Sequence, residues 1–297
     1  VWIIKLSLVI PARDSNDPKL KELLASIDAQ NFPKEDMEVL VITNGTSESA
    51  KAIGIKRATG EVIGILASDN ELTSKNALSW LYGSAESFGS SYCAWYAYKK
   101  DDDILNRYFS LIGGNDPLAY YMEKNDHLSH IVNHFKINPL GKTLGDNGFF
   151  IRKELIENTN LDEYYHIDNA NEAIKECYVH PLWFVWHKTG GNIFKFFAKR
   201  YRYGLEPAFN KNRRWHLVDF SKPKDIMRLI WFIVASLTVV QPLSLSFRGW
   251  MKIRDVAWFL HPVICLLTIL NYSILVIHLG LRRIFQLLSA RMAVRIV

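Results

Sequence analysis

The chain has 297 residues, of which 49% are hydrophobic and 22% are charged, and its formal net charge is +6. This composition excludes a disordered chain and a collagen-like chain, and the length allows a sizeable core in one large domain or two small ones. The charge is divided unevenly: residues 1–180 contain 18 Lys and Arg against 26 Asp and Glu, whereas residues 181–297 contain 18 against 4. An acidic part followed by a basic part argues against one uniform soluble globule.

The first 90 residues alternate between strand and helix patterns. Strand patterns lie at 3–10, 39–42 and 62–66, and each is followed by apolar residues at helical spacing, at 19–29, 49–58 and 72–86. This alternation predicts an α/β fold with a mainly parallel, helix-covered sheet that binds its ligand at the carboxyl ends of the strands. The sequence contains neither G-x-G-x-x-G nor a Walker P-loop, which excludes the two common nucleotide-binding loops.

A cluster of polar residues follows each of the three predicted strands. The clusters are PARD at 11–14, TNGT at 43–46 and ASDNE at 67–71. Turn formation explains any one of them, because Asn, Asp and Gly favour turns. Three clusters at successive strand ends instead indicate a shared binding site at one edge of the sheet.

Lysines and arginines alternate with aromatic residues between residues 186 and 228. Such a segment next to an apolar one is typical of an interfacial collar that faces anionic lipid headgroups. Nucleic-acid binding is the alternative explanation for the same composition.

Two uncharged apolar runs follow the collar, at about 229–245 and 256–279. About 20 helical residues cross a bilayer core, so we predict two hydrophobic helices, with Pro242 kinking or ending the first. A pair of buried core helices is the alternative. The predicted organisation is therefore a catalytic domain at 1–185, the collar at 186–228 and a membrane anchor at 229–297.

The three cysteines, Cys93, Cys177 and Cys265, lie far apart and without C-x-x-C spacing. This excludes a disulfide scaffold and a cysteine-based zinc site, and it is typical of a reducing compartment.

The strand-end clusters belong to a longer series of motifs. In order these are LVIPARD at 8–14, SIDAQ at 26–30, VLVITNGT at 39–46, GI at 54–55 with ATGE at 58–61, and IGILASDNE at 63–71. Over this stretch the chain resembles glycosyltransferase family 2, whose members have the GT-A fold and use nucleotide sugars as donors. Further on, GFFIR at 148–152 is similar to the family's acceptor-side segment, and DEYYHID at 162–168 is similar to the stretch that leads into its E-D catalytic pair.

The resemblance implies a set of residues that contact the nucleotide sugar: Pro11, Arg13, Asp14, Thr43, Asn44, Ser68 and Asp69. It also implies a divalent metal, Mg or Mn, held by Asp69. The family's D-x-D motif has lost its first carboxylate here, because Ala67 stands in its place. Asp69 alone suffices if phosphates and waters complete the metal's shell. Thr43 replaces the Asp that contacts the base, which leaves the nucleotide open.

Asp168 is the candidate general base, although Ile167 replaces the Glu of the E-D pair. In an inverting transfer a carboxylate takes the proton of the acceptor hydroxyl as its oxygen attacks the anomeric carbon. The alternative role of Asp168 is that of a helix N-cap, since a helix-like pattern follows it.

The resemblance and the basic composition suggest further residues on the acceptor or phosphate side: Asn147, Gly148, Arg152, Arg200, Arg202 and Arg214. Arginine suits phosphate oxygens because its guanidinium donates two parallel hydrogen bonds. His180 or His187 is expected either to reach the metal or diphosphate or to serve as an ordinary core or interfacial histidine.

The resemblance therefore implies an inverting glycosyltransferase. The apolar runs predict that it is integral to the membrane, and the use of nucleotide sugars, together with the unpaired cysteines, predicts that its catalytic domain lies on the cytoplasmic face. The expected partners are a nucleotide-diphosphate sugar, membrane lipids and an acceptor that is a polyprenyl phosphate or a lipid-linked glycan; nucleic acid is not expected. Two alternatives stay open. One is a processive polysaccharide synthase. The other is a catalytically degenerate, membrane-tethered binding or scaffold subunit, which the changes at residues 43, 67 and 167 would explain.

Overall fold

A computed structural model describes residues 4–93, 96–122, 136–137, 148–157, 178–180, 184–188, 190–205 and 218–294. The described residues form nine strands: β1 (Leu6–Pro11), β2 (Met37–Ile42), β3 (Val62–Ile65), β4 (Asn70–Leu72), β5 (Ser90–Cys93), β6 (Lys136–Ile137), β7 (Phe149–Arg152), β8 (Tyr178–His180) and β9 (Val185–His187). Within the same ranges there are ten helices: α1 (Pro18–Asp28), α2 (Ser47–Arg57), α3 (Ala77–Phe88), α4 (Ile104–Ile112), α5 (Pro117–Tyr121), α6 (Lys153–Glu157), α7 (Ile193–Leu205), α8 (Pro223–Thr238), α9 (Val240–Lys252) and α10 (His261–Val294). Two 3₁₀ turns lie at Lys34–Asp36 and Val256–Leu260.

The predicted α/β fold is confirmed, and its central sheet is mixed. Seven strands follow the order β2-β1-β3-β7-β5-β8-β6, and the pairs β1–β2, β1–β3 and β5–β8 are parallel. The pairs of β7 with β3 and β5, and that of β6 with β8, are antiparallel. The three N-terminal strands β1, β2 and β3 are adjacent and parallel, so their carboxyl ends meet at one edge.

Helices cover both faces of the sheet, because the side chains of a strand alternate between its faces. Leu6 and Leu8 of β1 pack in a cluster with Leu20 and Leu23 of α1 and with residues of α3. Val9, which points to the other face, packs with α2 and with β3 and β7 residues. In the described part of the chain, helices thus cover both faces of the sheet, and the strand ends are available for a ligand.

The third predicted helix begins later than expected. The pattern suggested a start at residue 72, whereas α3 begins at Ala77. Residues 70–72 instead form β4, which pairs antiparallel with β9, Asn70 opposite His187. Non-local pairing with a strand more than 100 residues later overrides the local helical spacing.

The first apolar run does not form one continuous helix. Helices α8 and α9 are bent by 81°, and Val239 between them has a φ of 63°. Pro242, which the sequence identified as the breaking residue, lies in the first turn of α9. A proline ring clashes with the carbonyl four residues earlier, which here is that of Thr238, the last residue of α8.

The second apolar run belongs to one long helix. Within the described residues, Val256–Ile284 is the one continuous segment that is long and apolar enough to cross a membrane, and the bent pair α8–α9 passes the same test only when taken together. The start of this segment is integrated into the fold, because Trp258 and Ile264 pack with Tyr108 and Phe109 of α4. Phe232 of α8 and Cys265 of α10 pack in turn with α5.

Candidate functional site

A cleft of about 500 Å³ lies where the carboxyl ends of β1 and β3 meet helix α7. Its walls come from four parts of the chain: the loop after β1 with the start of α1, the start of α2, the turn after β3, and the segment 190–203. The charged side chains that line it are those of Arg13, Asp17, Lys19, Asp69, Lys195, Lys199 and Arg202. Five cations thus surround two carboxylates, which favours an anionic ligand.

Asp69 lies on a turn that the backbone holds firmly. The side-chain oxygen of the buried Asn70 accepts a hydrogen bond from the backbone N–H of Ala67 at 2.9 Å. The Asp69 carbonyl accepts another from the N–H of Lys188 at 2.8 Å. Because β4 and β9 extend this pairing, the carboxylate of Asp69 is fixed against the strand that carries His187.

The Asp69 carboxylate faces three basic groups. Its Oδ1 lies 3.2 Å from Nε2 of His187, and its Oδ2 lies 3.6 Å from Nζ of Lys199. Burial by itself would raise the pKa of Asp69. His187, together with the ammonium groups of Lys199 and Lys19, outweighs burial and lowers that pKa well below its usual value. Asp69 is therefore ionised at neutral pH, with one carboxylate oxygen facing His187 and the other facing Lys199.

His187 is fixed from its other side. It is buried, and its ring lies 4.7 Å from the ring of Tyr96, measured between centroids. A buried imidazole beside a carboxylate can act as a hydrogen-bond donor to that carboxylate or as a metal ligand.

Helix α7 forms the roof of the cleft. Lys195, Lys199, Arg202 and Tyr203 all line the cleft, and their spacing of four, three and one residues places them on one helical face. Tyr203 links the roof to the opposite wall, because its ring centroid lies 5.5 Å from the guanidinium carbon of Arg13 and 5.9 Å from Nζ of Lys199. The cationic face of α7 therefore looks directly onto Asp69.

The opposite face of α7 packs on α10. Asn271 donates a hydrogen bond to the carbonyl of Phe197 at 3.0 Å, and the hydroxyl of Tyr201 lies 2.6 Å from Nδ1 of His278. A Cβ placed on Gly204 would lie 2.3 Å from Cδ2 of Leu275, so a larger residue there would have to displace the Leu275 side chain. The roof of the cleft is thus docked on the long apolar helix.

The N-terminus of α2 forms a further wall. Thr46 caps this helix by accepting a hydrogen bond from the N–H of Ser49 at 3.3 Å, and Gly45 before it has a φ of 93°. Gly45, Thr46 and Ser47 all line the cleft. The positive end of the α2 dipole adds to the attraction of an anion.

Four of the predicted nucleotide-sugar residues line this cleft: Pro11, Arg13, Ser68 and Asp69. Three others lie beside it. Thr43 and Asn44 are exposed, and the next residues, Gly45 and Thr46, reach the cleft in their place. The carboxylate of Asp14 accepts a hydrogen bond from the N–H of Asn16 at 2.9 Å within its own loop, and Asp17 lines the cleft instead.

The predicted acceptor-side residues are dispersed. Arg202 lines the cleft. Arg152 lies at the opposite edge of the sheet, because β7 runs antiparallel to β3 and Arg152 pairs with Val62, the first residue of β3. Gly148 lies at the correct edge, but it is buried, has a φ of 75° and has Val185 and Cys93 as its neighbours.

Arg200 is committed to a polar cluster outside the cleft. It forms an ion pair with Asp116 of the segment that caps α5, and it donates to the Asn115 carbonyl at 2.9 Å and to the Tyr272 hydroxyl of α10 at 3.2 Å. Burial would lower the pKa of Arg200, but Asp116 raises it further than burial lowers it. Arg200 therefore stays charged and joins three helices, and it does not line the cleft.

Asn147, Asp168 and Arg214 lie outside the described residues, so the roles predicted for them rest on the sequence alone. Sequence reasoning missed Lys19, Lys195 and Lys199 as individual site residues. The lysines of α7 carried a usable signal, because 195, 199 and 202 have the spacing of one helical face.

The fit of a divalent metal is decided by the donors around Asp69. Among the described residues no group of three or more His, Cys, Asp and Glu side chains is placed to hold a metal ion. Nε2 of His187 lies 3.2 Å from Oδ1 of Asp69, and a carboxylate with an imidazole suits Mn²⁺ if a ligand's oxygens and waters supply the remaining positions. The residues present thus fit a metal that is shared with a phosphorylated ligand.

Comparison with solved structures finds a mannosyltransferase from Pyrobaculum calidifontis, PcManGT, in complex with GDP-Man and Mn²⁺; it has a TM-score of 0.50 and 13% identity and covers 91% of this chain and 86% of that chain. The chain has the α/β fold of this mannosyltransferase. S. aureus TarS 1–349 in complex with UDP gives a TM-score of 0.44, 15% identity, and coverage of 61% of this chain and 60% of that one. The chain thus spans less than two thirds of that TarS fragment. No family model and no curated protein sequence matches the chain.

Proposed function

We propose that the protein is a glycosyltransferase that moves a sugar, with inversion, from a nucleotide-diphosphate sugar to a membrane-associated acceptor. The observation that carries this proposal is the ionised Asp69 at a strand end, facing the cationic side of α7 across the cleft. The mannosyltransferase PcManGT, which has a similar fold, is in complex with GDP-Man and Mn²⁺. The arrangement of Asp69 and the cations of α7 suits the same class of ligand.

In this proposal the cationic side chains that line the cleft bind the diphosphate. Arg13, Lys195, Lys199 and Arg202 line one space with the N-terminus of α2. A diphosphate leaving group departs more easily when its developing charge is neutralised by groups that are already in place. Pro11 and Ser68 adjoin the same space and contact the nucleotide sugar in this proposal.

Asp69 and His187 are the proposed ligands of the divalent metal, Mg²⁺ or Mn²⁺. When bound, the metal supplies Lewis-acid stabilisation of the departing diphosphate. The chain's own part is to hold the Asp69 carboxylate ionised and oriented, through the turn at 67–70 and the β4–β9 pairing.

Asp168 is the proposed general base. Asp168→Asn is expected to lower the transfer rate to a hydroxyl acceptor by about 100-fold or more, because positioned bases contribute at least that much. Steady-state transfer assays measure this, with hydrolysis of the donor as the control. A phosphate acceptor is already anionic and needs no base, so Asp168→Asn should leave the rate of sugar transfer to a phosphate acceptor close to that of wild type. Nearly full activity with a hydroxyl acceptor rules out the base role.

Membrane attachment through residues 223–294 is part of the proposal, with the cleft on the cytoplasmic face. Apolar side chains on α8 and α10 are exposed, among them Met227, Leu237 and Val276, and Val256–Ile284 has the length to span a bilayer. A lipid-linked acceptor, either a polyprenyl phosphate or a lipid-linked glycan, fits a cleft whose roof is docked on this helix.

Titration of the full chain with a panel of UDP and GDP sugars, with and without Mn²⁺, tests the proposal. We expect binding that Mn²⁺ strengthens, together with slow hydrolysis of the preferred donor. Absence of binding and of hydrolysis with every sugar in the panel would support the alternative of a non-catalytic scaffold subunit, which the replacements at Ala67 and Thr43 motivate. Long polymers made by the purified protein would instead favour a processive synthase.

A further inference from the structure

One contact inside the cleft conflicts with the metal-binding role proposed for Asp69. Asp69 is the carboxylate proposed to hold a metal, yet its Oδ2 is paired with Nζ of Lys199 at 3.6 Å. Its Oδ1 faces His187 at 3.2 Å. A carboxylate that ligates a cation cannot at the same time keep an ammonium group against the same oxygen, because the two like charges repel each other.

Lys199 is placed so that it can leave Asp69. Its side chain is 43% exposed, whereas that of Asp69 is 14% exposed. Both residues line the 500 Å³ cleft, and Lys195 and Arg202 flank Lys199 on the same face of α7. A lysine has a flexible four-carbon stem and three rotatable donors, so its ammonium can move without any change in the helix.

A diphosphate in the cleft would compete with Asp69 for this ammonium. It carries more negative charge than one carboxylate, and its oxygens accept charge-assisted hydrogen bonds from lysine. The neighbouring cations on α7 and Arg13 attract the diphosphate to the same space.

We propose that Lys199 is an exchangeable cation: in the free protein it neutralises Asp69, and when a nucleotide sugar enters it moves to the diphosphate and releases Oδ2 of Asp69 for a divalent cation. This inference rests on the proposed function and adds a residue and an order of events to it. The ammonium stays protonated throughout, so no proton is transferred. Exchange makes the cation and the nucleotide bind cooperatively, because each removes a competitor of the other.

Substitution of Lys199 should change two affinities in opposite directions. In Lys199→Ala the Kd for Mn²⁺ alone should fall by about 3-fold or more, because the competing ammonium at Asp69 is gone. The Kd for UDP or GDP should rise by about 10-fold, because a charged hydrogen bond to phosphate is lost. Free Mn²⁺ measured by electron paramagnetic resonance and nucleotide binding measured by calorimetry give both values for the full chain in detergent.

Two matched variants separate exchange from general effects. Lys195→Ala removes the same charge one turn earlier on the same face of α7, and it should weaken UDP or GDP binding while the Kd for Mn²⁺ alone stays within about 2-fold of wild type. Lys199→Arg keeps the charge and should hold both affinities close to wild type. Far-ultraviolet circular dichroism and the thermal midpoint verify that each variant is folded. If the alanine variant does not fold, Lys199→Gln, which removes the charge but keeps a polar side chain, carries the test with the same two expected shifts.

The outcomes distinguish this inference from the proposed function. If wild type binds neither UDP nor GDP, with or without Mn²⁺, then both the proposed function and the exchange are overturned. If wild type binds them and Lys199→Ala weakens Mn²⁺ binding or leaves it unchanged, the exchange alone is overturned. Opposite shifts, together with near-wild-type values in Lys199→Arg, establish it.

Discussion

Asp69→Asn is expected to lower kcat/KM for sugar transfer by about 1,000-fold, which corresponds to about 4 kcal/mol of transition-state stabilisation. Asparagine has nearly the same shape, and the Lys188 N–H bond to the backbone carbonyl of residue 69 does not depend on the side chain. What is lost is the negative charge that faces His187 and Lys199. The proposed metal then has no carboxylate among its protein ligands.

Binding measurements on the same variant show where the loss arises. Asp69→Asn should keep the metal-independent binding of UDP or GDP, because the cations of α7 remain and Lys199 has no competing partner. The increase in affinity that Mn²⁺ gives wild type should disappear. Asp17→Asn, which removes a second carboxylate at the cleft that also caps α1, is the matched control. If Asp17→Asn abolishes the Mn²⁺-dependent increase in nucleotide affinity while Asp69→Asn does not, then the metal site has been assigned to the wrong carboxylate.

Arg200→Met is expected to lower the free energy of unfolding by about 3 kcal/mol, since removal of one member of a buried ion pair leaves the other charge uncompensated. Arg200 and Asp116 are 24% and 9% exposed, and Asp116 also accepts a hydrogen bond from Tyr272 of α10. For a protein of this size the loss corresponds to a decrease in the thermal midpoint of about 6 to 12 °C. Thermal unfolding followed by circular dichroism in detergent measures it.

A double variant tests whether the unpaired charge is the cause. Asp116→Asn removes the partner's charge but keeps an acceptor for the Leu118 N–H that residue 116 caps at 2.9 Å. Arg200→Met combined with Asp116→Asn should therefore recover more than half of the lost midpoint. If the double variant is as unstable as the sum of the two single ones, the cost lies in lost packing and not in charge.

The strand ends were the most predictable part of the site. The alternating strand and helix patterns predict that the clusters holding Arg13, Ser68 and Asp69 share one edge of the sheet, because parallel strands β1 and β3 bring their carboxyl ends together. The choice of these residues within the clusters rests on the family resemblance. Arg152 could not be placed in this way. The sequence pattern of its strand, β7, resembles that of the other strands. However, β7 follows a long connection and pairs antiparallel with β3, and the local sequence does not encode that direction.

The arginines of α7 show a second limit. Arg200 and Arg202 are two residues apart and were equally plausible phosphate ligands, yet side chains two apart on a helix point about 200° from each other. One enters the cleft and the other pairs with Asp116. Without the bounds of α7 and the position of α10, the sequence does not show which of the two arginines faces the cleft.

The contact between α7 and α10 has a mechanical consequence. One face of α7 carries the cations that look onto Asp69, and the other is fixed to α10 by residues 271, 272, 275 and 278. In a bilayer, the depth and tilt of an apolar helix such as α10 follow the thickness of the hydrocarbon layer. Under the proposed membrane attachment, the spacing between Lys199 and Asp69 is therefore expected to vary with lipid chain length, because α10 carries the helix that bears Lys199.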